Sequence, residues 1–381
     1  MIPYGKHLVD EDDIDAVVDV LRNQFLTQGT VVPQFENALC GYTGANYCVA
    51  VNSATSGLHV ACLAAGVAAG DSVWTVPNSF VASANCALYC GASIDFVDID
   101  PLTRNIDINA LDKKLQHAAR QNCLPKALIV VHFSGLSCDM QRIHKLTQMY
   151  SIVLIEDAAH GLGGSYQQSK IGSCVYSDMA VLSFHPVKSI TSAEGGAVLT
   201  NQNHFHEKLT LFAKHGVTKD PLQYRGESHG PWYYQQLELG YNYRLSDLHA
   251  ALGLSQLKKL DVFIQKRSEL AKVYDETLAD LPLKLPVVEP HFKSAWHLYM
   301  VELTQHDRQN IYQLLHKKGI GVNVHYIPIH LQPFYQKVGF KQGDFPVSEH
   351  FYQHALTLPL FPGLSHEEQL KVVDVLHEVL L

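Results

Sequence analysis

Three short segments carry residue types that can do chemistry together, and each lies at the end of an apolar run typical of a β-strand. Segment 52–57 offers hydroxyls and the free backbone amides of a helix start, which suit a phosphate group. Segment 155–160 brings two acids to one strand end, and segment 183–188 brings Lys188 to another. Each is ordinary by itself, because serines often cap helices, and acids and lysines usually face water.

The combination of these three segments is more specific than any one of them. A phosphate cradle, a carboxylate that keeps a pyridine nitrogen protonated and a lysine that forms a Schiff base are what a protein supplies to pyridoxal phosphate (PLP). The acid lets the ring accept electrons from the substrate, and the amine moves the proton. Phe80, after a fourth apolar run, is placed to stack on such a ring, although core packing is the commoner use of phenylalanine. The sequence therefore predicts a PLP site.

Alternating strand and helix patterns must position these segments. Seven apolar runs predict strands at 47–51, 72–76, 94–99, 127–133, 152–156, 179–184 and 196–200. Helical patterns lie between most of them, at 55–65, 79–89, 109–117 and 140–150. This alternation predicts an α/β fold with a mostly parallel seven-stranded sheet covered on both faces, with ligands bound beyond the carboxyl ends of its strands.

The pattern changes after residue 245. It predicts a long helix at 247–278, a connection at 281–290, a strand at 297–303, a helix at 307–318, a strand at 322–326 and a closing helix at 366–379. We therefore expect a large cofactor-binding domain at 1–245 and a smaller α/β domain at 246–381, joined by the long helix. Segment 217–240 is the longest without periodicity, and loops of that length are usually functional or mobile.

Composition limits the classes of partner. The chain has 381 residues, 47% of them apolar, a net charge of −8 and no basic run longer than three residues, which argues against nucleic acid. It has no 18-residue apolar run, and its N-terminus is acidic, so we expect a cytoplasmic protein without a membrane anchor. Eight cysteines without a C-x-x-C pair predict reduced thiols, and 22 histidines without ligand spacing predict no metal site.

Six segments also carry a resemblance to a known family. They are Leu26-Thr27-Gln28-Gly29, 52–56, 156–160, 183–188 with 193–196, Gly240-Tyr241-Asn242-Tyr243-Arg244 and 324–328. In these segments and their order, the chain resembles the DegT/DnrJ/EryC1/StrS sugar aminotransferases, which are fold-type I PLP enzymes, over nearly its whole length. The resemblance implies the same fold for this chain.

The resemblance also assigns cofactor roles residue by residue. It implies that Lys188 is the Schiff-base lysine and that Asp157 is the partner of the pyridine nitrogen. The other implied cofactor contacts are Ala54, Thr55, Ser56 and Ser183 near the phosphate, Phe80 on the ring, His160 at the ring hydroxyl and Asn242. Because Asn242 would come from the neighbouring subunit, the resemblance implies a homodimer with shared active sites.

Within the family, segments 26–29, 52–56, 183–196, 251–257 and 325–329 resemble the branch that serves pseudaminic acid biosynthesis. That branch implies amino transfer from L-glutamate to C4 of a UDP-linked 4-keto-6-deoxy-N-acetyl-hexosamine. The implied substrate contacts are Tyr4, Gln28, His185, Lys214, Arg225, His325, Tyr326 and His330. For residues of these types a structural role is at least as common as a substrate contact. His325 and His330 could equally lie at a strand end and turn, where their imidazoles would bond to backbone groups.

Three other readings remain open at this stage. The chain could aminate another nucleotide-linked ketosugar of lipopolysaccharide or antibiotic synthesis, act as a PLP-dependent sugar dehydratase, or be a non-catalytic regulatory module. The dehydratases of the family replace the lysine with histidine, so the intact Lys188 disfavours that reading. After Arg267 the only arginine is Arg308, so the small domain lacks the carboxylate clamp that an amino-acid aminotransferase needs. The sequence Trp232-Tyr233-Tyr234 has no counterpart that we can assign.

Overall fold

A seven-stranded sheet lies at the centre of the structure, a computed structural model that describes residues 1–381. The strands before residue 201 are β1 Tyr47–Val51, β2 Ser72–Thr75, β3 Ser93–Phe96, β4 Ala127–Val131, β5 Val153–Asp157, β6 Ser165–Tyr166, β7 Ser169–Lys170, β8 Met179–Ser183 and β9 Gly196–Thr200. Their order in the large sheet is β1-β9-β8-β5-β4-β2-β3, and β9 alone runs against its neighbours. The predicted mostly parallel sheet of seven strands is confirmed.

Helices cover both faces of this sheet. They are α1 Glu11–Asn23, α2 Val31–Thr43, α3 Ala54–Ala64, α4 Ala82–Tyr89, α5 Ile108–Arg120, α6 Met140–Met149 and α7 Asn203–Ala213. Strand β8 is buried along its whole length, and its successive residues enter different apolar cores, Val181 with Leu58 of α3, and Leu182 with Phe35 of α2. A strand that packs on both faces must be apolar throughout, which explains the unbroken apolar runs.

The C-terminal third of the chain contains a second, smaller sheet and the helices around it. Two short strands come before it in the chain, β10 Val217–Thr218 and β11 Gln235–Gln236. The elements of the C-terminal third are α8 Asp247–Leu257, α9 Leu260–Thr277, β12 Leu283–Lys284, β13 Phe292–Lys293, β14 Tyr299–Leu303, α10 Arg308–Lys317, α11 Pro333–Lys337, α12 Pro346–His354, β15 Ala355–Leu358 and α13 His366–Leu380. Strands β12, β14 and β15 pair antiparallel around β14. Strand β13 instead pairs with β6 of the N-terminal part.

Two sequence predictions in this region were wrong. The expected single helix at 247–278 is two helices, because the chain turns at Lys258 and Lys259. The Lys259 ammonium lies 2.9 Å from the buried Asp13 carboxylate of α1, which holds the turn against the N-terminal part. The expected strand at 322–326 forms only one bridge, between Asn323 and Thr357. The small sheet consists of β12, β14 and β15, so segment 322–326 is not one of its strands.

The domain boundary at 245/246 remains a prediction, and many contacts cross it besides the β13–β6 pairing and the Lys259–Asp13 ion pair. Ile2 pairs with Ile320 and is buried in the C-terminal apolar core. Helix α8 packs against α1 and α2, and Asp247 accepts hydrogen bonds from the amides of Gly29 and Val31, both at 2.9 Å. None of the helices is long and apolar enough to cross a membrane.

Segment 217–240, which lacks periodicity, folds as an exposed ribbon. Its ends pair as β10 with β11, and the Tyr224 hydroxyl donates a hydrogen bond to the carbonyl of Tyr233 at 2.8 Å. Trp232 and Tyr234 remain 76% and 57% exposed, so the aromatic triplet does not pack into a core of its own chain.

Candidate active site

A cavity of about 520 Å³ opens at the carboxyl ends of the parallel strands. Strand β5 delivers Asp157 to it, and β8 delivers Ser183, with Lys188 in the turn that follows. The predicted site residues that line this cavity are Tyr4, Ala54, Thr55, Phe80, Asp157, His160, Ser183, His185, Lys188, His325 and Tyr326. Residues from both ends of the chain thus meet where an open parallel sheet places its ligands.

Lys188 lies in a constrained turn between β8 and β9. The Lys188 amide donates to the carbonyl of His185 at 2.9 Å, and Phe184 and Gly195 pair across the turn. Burial lowers the pKa of the Lys188 amine to about 8, while the Asp157 charge acts in the opposite direction. An amine with this pKa is neutral in about a tenth of molecules at pH 7, which gives it nucleophilic and proton-accepting capacity.

Asp157 is fixed by two hydrogen bonds and is only 5% exposed. The Ser83 hydroxyl donates to its Oδ2 at 2.6 Å, and the amide of Ala159 donates to its Oδ1 at 3.2 Å. The Ser79 hydroxyl lies 2.7 Å from that of Ser83 and extends the chain of hydrogen bonds into the segment before α4. The carboxylate is thus held in one orientation at the cavity wall.

Three buried imidazoles, those of His160, His297 and His325, surround Lys188. Burial, followed by the Lys188 charge, lowers the pKa of His160 and of His297 well below the usual value and that of His325 to about 4. All three are therefore neutral at pH 7. The Tyr326 hydroxyl lies 3.2 Å from His160 Nε2, and burial raises the Tyr326 pKa far above its usual value.

The start of α3 has the features of a phosphate cradle. Ser53 caps the helix by accepting from the amide of Ser56 at 3.1 Å, while the amides of Ala54 and Thr55 have no partner in the chain. Gly196 lets β9 approach, since a Cβ there would lie 2.6 Å from the nitrogen of Ala54. Unpaired amides at a helix N-terminus bind anions.

These groups fit PLP. The free amides at the start of α3 can donate hydrogen bonds to the phosphate, and the fixed Asp157 can pair with the protonated ring nitrogen. The Lys188 amine can form a Schiff base with the aldehyde. The Phe80 ring lines the cavity while 58% exposed, and its centroid lies 6.2 Å from that of Tyr326, so an apolar face is available to a ring. His160 Nδ1 is buried and without a partner, which leaves a polar atom for the ring hydroxyl.

Some predicted residues lie outside this cavity. The Ser56 hydroxyl donates to Asn52 Oδ1 at 2.6 Å, and Ser56 does not line the cavity. His330 is fully buried, with Nε2 2.9 Å from the Glu349 carboxylate, and this position does not support it as a substrate contact. A buried imidazole paired with a carboxylate already has a structural reason to be there.

The remaining four predicted residues also lie outside this cavity, and two of them line a second opening. Gln28 and Lys214 line a cavity of about 710 Å³, and Gln28 accepts a hydrogen bond from Arg244 at 3.2 Å. Asn242 is exposed and forms a bridge with Lys214, and Arg225 is exposed on the ribbon. Within one chain none of these four reaches Lys188, so their assigned roles remain predictions.

Sequence reasoning missed Ser83, which holds Asp157 from behind the cavity wall, and His297, which lines the cavity. Ser83 could have been found, because Ser79 and Ser83 are four residues apart in a helical pattern after a strand and therefore share a face. His297 carries no such signal, since it is a single histidine at the expected start of an apolar strand.

Comparison with known proteins agrees with this geometry. The DegT/DnrJ/EryC1/StrS aminotransferase family matches residues 7–377. The chain is 36% identical to the spore coat polysaccharide biosynthesis protein SpsC of Bacillus subtilis, over 99% of this chain and 97% of that protein. It is 37% identical to the UDP-4-amino-4,6-dideoxy-N-acetyl-beta-L-altrosamine transaminase of Campylobacter jejuni, over 100% of this chain and 98% of that protein.

A solved structure with a similar fold is Helicobacter pylori PseC, an aminotransferase involved in the biosynthesis of pseudoaminic acid. It matches with a TM-score of 0.90 at 34% identity, over 100% of this chain and 99% of that one. Aminotransferases of this family use PLP, and the cavity lining of the present chain fits that cofactor. The chain therefore belongs to the DegT/DnrJ/EryC1/StrS aminotransferase family and is a PLP-dependent sugar aminotransferase.

Proposed function

We propose that this enzyme moves the amino group of L-glutamate to C4 of a UDP-linked 4-keto-6-deoxy-N-acetyl-hexosamine. The observation that carries the proposal is the meeting of Lys188, Asp157 and the free start of α3 in one cavity. The Campylobacter relative is named for a UDP-linked 4-amino-4,6-dideoxy sugar and supports this acceptor. The proposed product belongs to the pseudaminic acid pathway.

The positions of the arginines also favour a sugar acceptor. Arg267 is fully buried, and its Nη1 donates to the carbonyls of Trp296, His297 and Leu360. Arg308 donates to the carbonyl of Tyr352. Neither guanidinium lines the cavity, so the C-terminal part offers no bidentate clamp for the α-carboxylate of an amino-acid acceptor.

In this proposal, different residues of the chain bind the cofactor and move the proton. Bound PLP supplies an electron sink for the carbon that gains or loses the amino group. The amides of Ala54 and Thr55 hold the phosphate, and Asp157 holds the protonated ring nitrogen. With the cofactor bound, the neutral Nζ of Lys188 would take the proton from the α-carbon of the donor in the first half of the reaction and pass it to the cofactor carbon that carries the amino group. In the second half it would move a proton from that cofactor carbon to C4 of the sugar.

The same proposal assigns the second opening to a neighbouring subunit. In a homodimer, Asn242 of the partner subunit would reach the phosphate, and Gln28, Lys214 and Arg225 would contact the nucleotide. The exposure of Asn242, its position outside the cavity of its own chain and the basic groups around the second opening favour this arrangement.

A second candidate acceptor is another nucleotide-linked ketosugar. The chain is 36% identical to SpsC, named for spore coat polysaccharide biosynthesis, and 37% identical to the Campylobacter transaminase, so identity alone does not separate the two acceptors. Specificity between ketosugars depends on the shape of the pocket and the hydroxyls that it contacts.

An absorbance titration tests amino transfer, and a sugar panel tests the acceptor. Purified protein loaded with PLP should convert the cofactor to its amine form when L-glutamate is added, and Lys188→Ala should not. The panel should contain UDP- and dTDP-linked 4-keto-6-deoxy sugars with and without the 2-acetamido group. The account predicts turnover with the UDP-linked 2-acetamido sugar, and preference for a dTDP-linked sugar would favour the second candidate.

A further inference from the structure

His297 lies beside the reactive amine of Lys188. Its Nε2 is 3.5 Å from Lys188 Nζ, and its side chain is 4% exposed at the cavity wall. The centroid of its ring lies 4.3 Å from that of His160. His297 is therefore close enough to a reacting atom to influence what that atom does.

The backbone of this segment is held rigidly from two sides. The amide of Leu298 donates to the carbonyl of Ser134 at 3.2 Å, and Arg267 donates to the carbonyl of His297 at 3.2 Å. Gly135, at φ +102°, allows the close approach, because a Cβ there would lie 3.0 Å from the amide nitrogen of His297. The imidazole itself makes no other hydrogen bond, and its Nδ1 is buried without a partner.

Other polar groups face Lys188, but they are committed elsewhere or lie farther away. Asp157 is held by Ser83, His160 Nε2 lies against the Tyr326 hydroxyl, and His325 Nδ1 lies 2.7 Å from the Thr357 hydroxyl. Tyr4 and Glu194 line the same cavity without a hydrogen bond to the amine. Among these groups, only the His297 nitrogen lies within hydrogen-bond distance of Nζ.

The protonation state of His297 follows from this setting. Burial, and then the Lys188 charge, lower the pKa of His297 well below its usual value, so the ring is neutral at pH 7. With a pKa of about 8, the Lys188 amine is mostly an ammonium at pH 7 and can only donate, so Nε2 accepts and the neutral ring carries its proton on Nδ1. When the amine is neutral and donates one N–H to this nitrogen, its lone pair is turned elsewhere.

We propose that His297 positions the Lys188 amine, by accepting a hydrogen bond at Nε2 and so directing the lone pair of Nζ into the cavity. This inference rests on the proposed proton-moving role of Lys188 and adds a residue to it. His297 acts through Lys188 and exchanges no proton with the substrate. It is a positioning residue of the amino-transfer reaction.

The test compares His297→Leu with His297→Gln in the full-length protein. The first readout uses the apoprotein, in which the rate of Lys188 acetylation by acetic anhydride is followed against pH by peptide mass. The Lys188 pKa should fall in His297→Leu, because the ammonium form loses its acceptor. It should stay near the wild-type value in His297→Gln, because the amide oxygen can take the place of Nε2.

The second readout is the rate of the L-glutamate half-reaction in the PLP-loaded enzyme. A misplaced amine predicts a loss of about 100-fold in His297→Leu with unchanged glutamate affinity, and substantial recovery in His297→Gln. His306→Leu is the matched control, because it removes an imidazole whose Nε2 contacts the carbonyl of Leu380 far from the cavity. It should leave both readouts unchanged.

Two results would overturn the proposal. One is an unaltered Lys188 pKa together with a His297→Leu half-reaction within twofold of wild type. The other is equal impairment of His297→Gln and His297→Leu at wild-type melting temperature. If His297→Leu does not fold, His297→Asn replaces it, since its amide is too short to reach Nζ. If L-glutamate does not convert the cofactor in the wild-type protein, the proposed function is contradicted. The apoprotein titration of Lys188 would still decide the role of His297.

Discussion

The Ser83 hydroxyl donates a 2.6 Å hydrogen bond to Oδ2 of Asp157, and this bond links helix α4 to the carboxylate at the end of β5. Ser83→Ala should weaken PLP binding about tenfold, because the carboxylate loses one of the two bonds that orient it. A titration of PLP absorbance against the apoprotein measures this loss.

The matched control for Ser83 is Ser177→Ala. The Ser177 hydroxyl donates to the neighbouring carboxylate, Glu156, at 2.5 Å, and Glu156 does not line the cavity. Ser177→Ala should therefore lower stability while leaving PLP affinity within about twofold of wild type. Equal affinity losses in the two variants would show that the Ser83 effect is a general consequence of core disruption.

Gly196 leaves room for the start of α3, the proposed phosphate cradle. A Cβ at this position would lie 2.6 Å from the nitrogen of Ala54, 2.7 Å from the carbonyl carbon of Ser53 and 2.8 Å from the carbonyl oxygen of Leu182, all of them backbone atoms. Gly196→Ala should therefore shift the start of α3, lower the stability by about 1–3 kcal/mol and abolish tight PLP binding.

Gly41→Ala is the control for that substitution. Gly41 lies on the exposed face of α2, and nothing lies within 4 Å of its Cβ position. This change should raise stability by up to about 1 kcal/mol through helix propensity and leave PLP binding unaltered. Chemical denaturation and PLP titration of the two variants provide the comparison, and normal PLP affinity in Gly196→Ala would contradict the cradle.

Arg267 is predicted to be a structural residue that holds the segment carrying His297. Its Nη1 donates to three carbonyls, two of them in buried hydrogen bonds, and burial lowers its pKa to about 10. Arg267→Met should cost about 3–5 kcal/mol of unfolding free energy, because the carbonyls lose their donor without gaining another. Urea denaturation measures this, and a loss below about 1 kcal/mol would show that water or a local shift replaces the guanidinium.

The lowered pKa of Lys188 predicts a pH dependence for cofactor loading. The amine must be neutral to react, and with a pKa of about 8 its neutral fraction rises from about a tenth at pH 7 to about nine tenths at pH 9. The rate of PLP incorporation into the apoprotein should rise about tenfold over this range. Stopped-flow absorbance measures the rate, and a profile that keeps rising toward pH 10.5 would mean that the amine is solvated.

The strands of the large sheet were predictable because burial on both faces leaves an unbroken apolar run, as in β4 and β8. The second sheet was harder. Residues 322–326 have the alternation of a strand, yet His325 and Tyr326 turn into the cavity instead of extending a ladder. In this segment the contacts at the cavity determine the backbone conformation, and the local strand pattern does not.

Long-range partners explain the other failures. No glycine or proline marks the turn at Lys258 and Lys259, and its ion pair with Asp13 joins residues far apart in the chain. His297 reaches Lys188 only because the turn at Gly135 and the Arg267 side chain hold its backbone in place. Periodicity reports local burial and carries no information about such contacts.

The most direct test of the account follows the amino group itself. The PLP-loaded enzyme is incubated with ¹⁵N-labelled L-glutamate and the UDP-linked 4-keto-6-deoxy-N-acetyl-hexosamine, and the sugar product is examined by NMR. The account predicts ¹⁵N bonded to C4 of the sugar, formation of 2-oxoglutarate in equal amount, and neither product with Lys188→Ala. Unlabelled sugar despite conversion of the cofactor by glutamate would contradict the proposed acceptor.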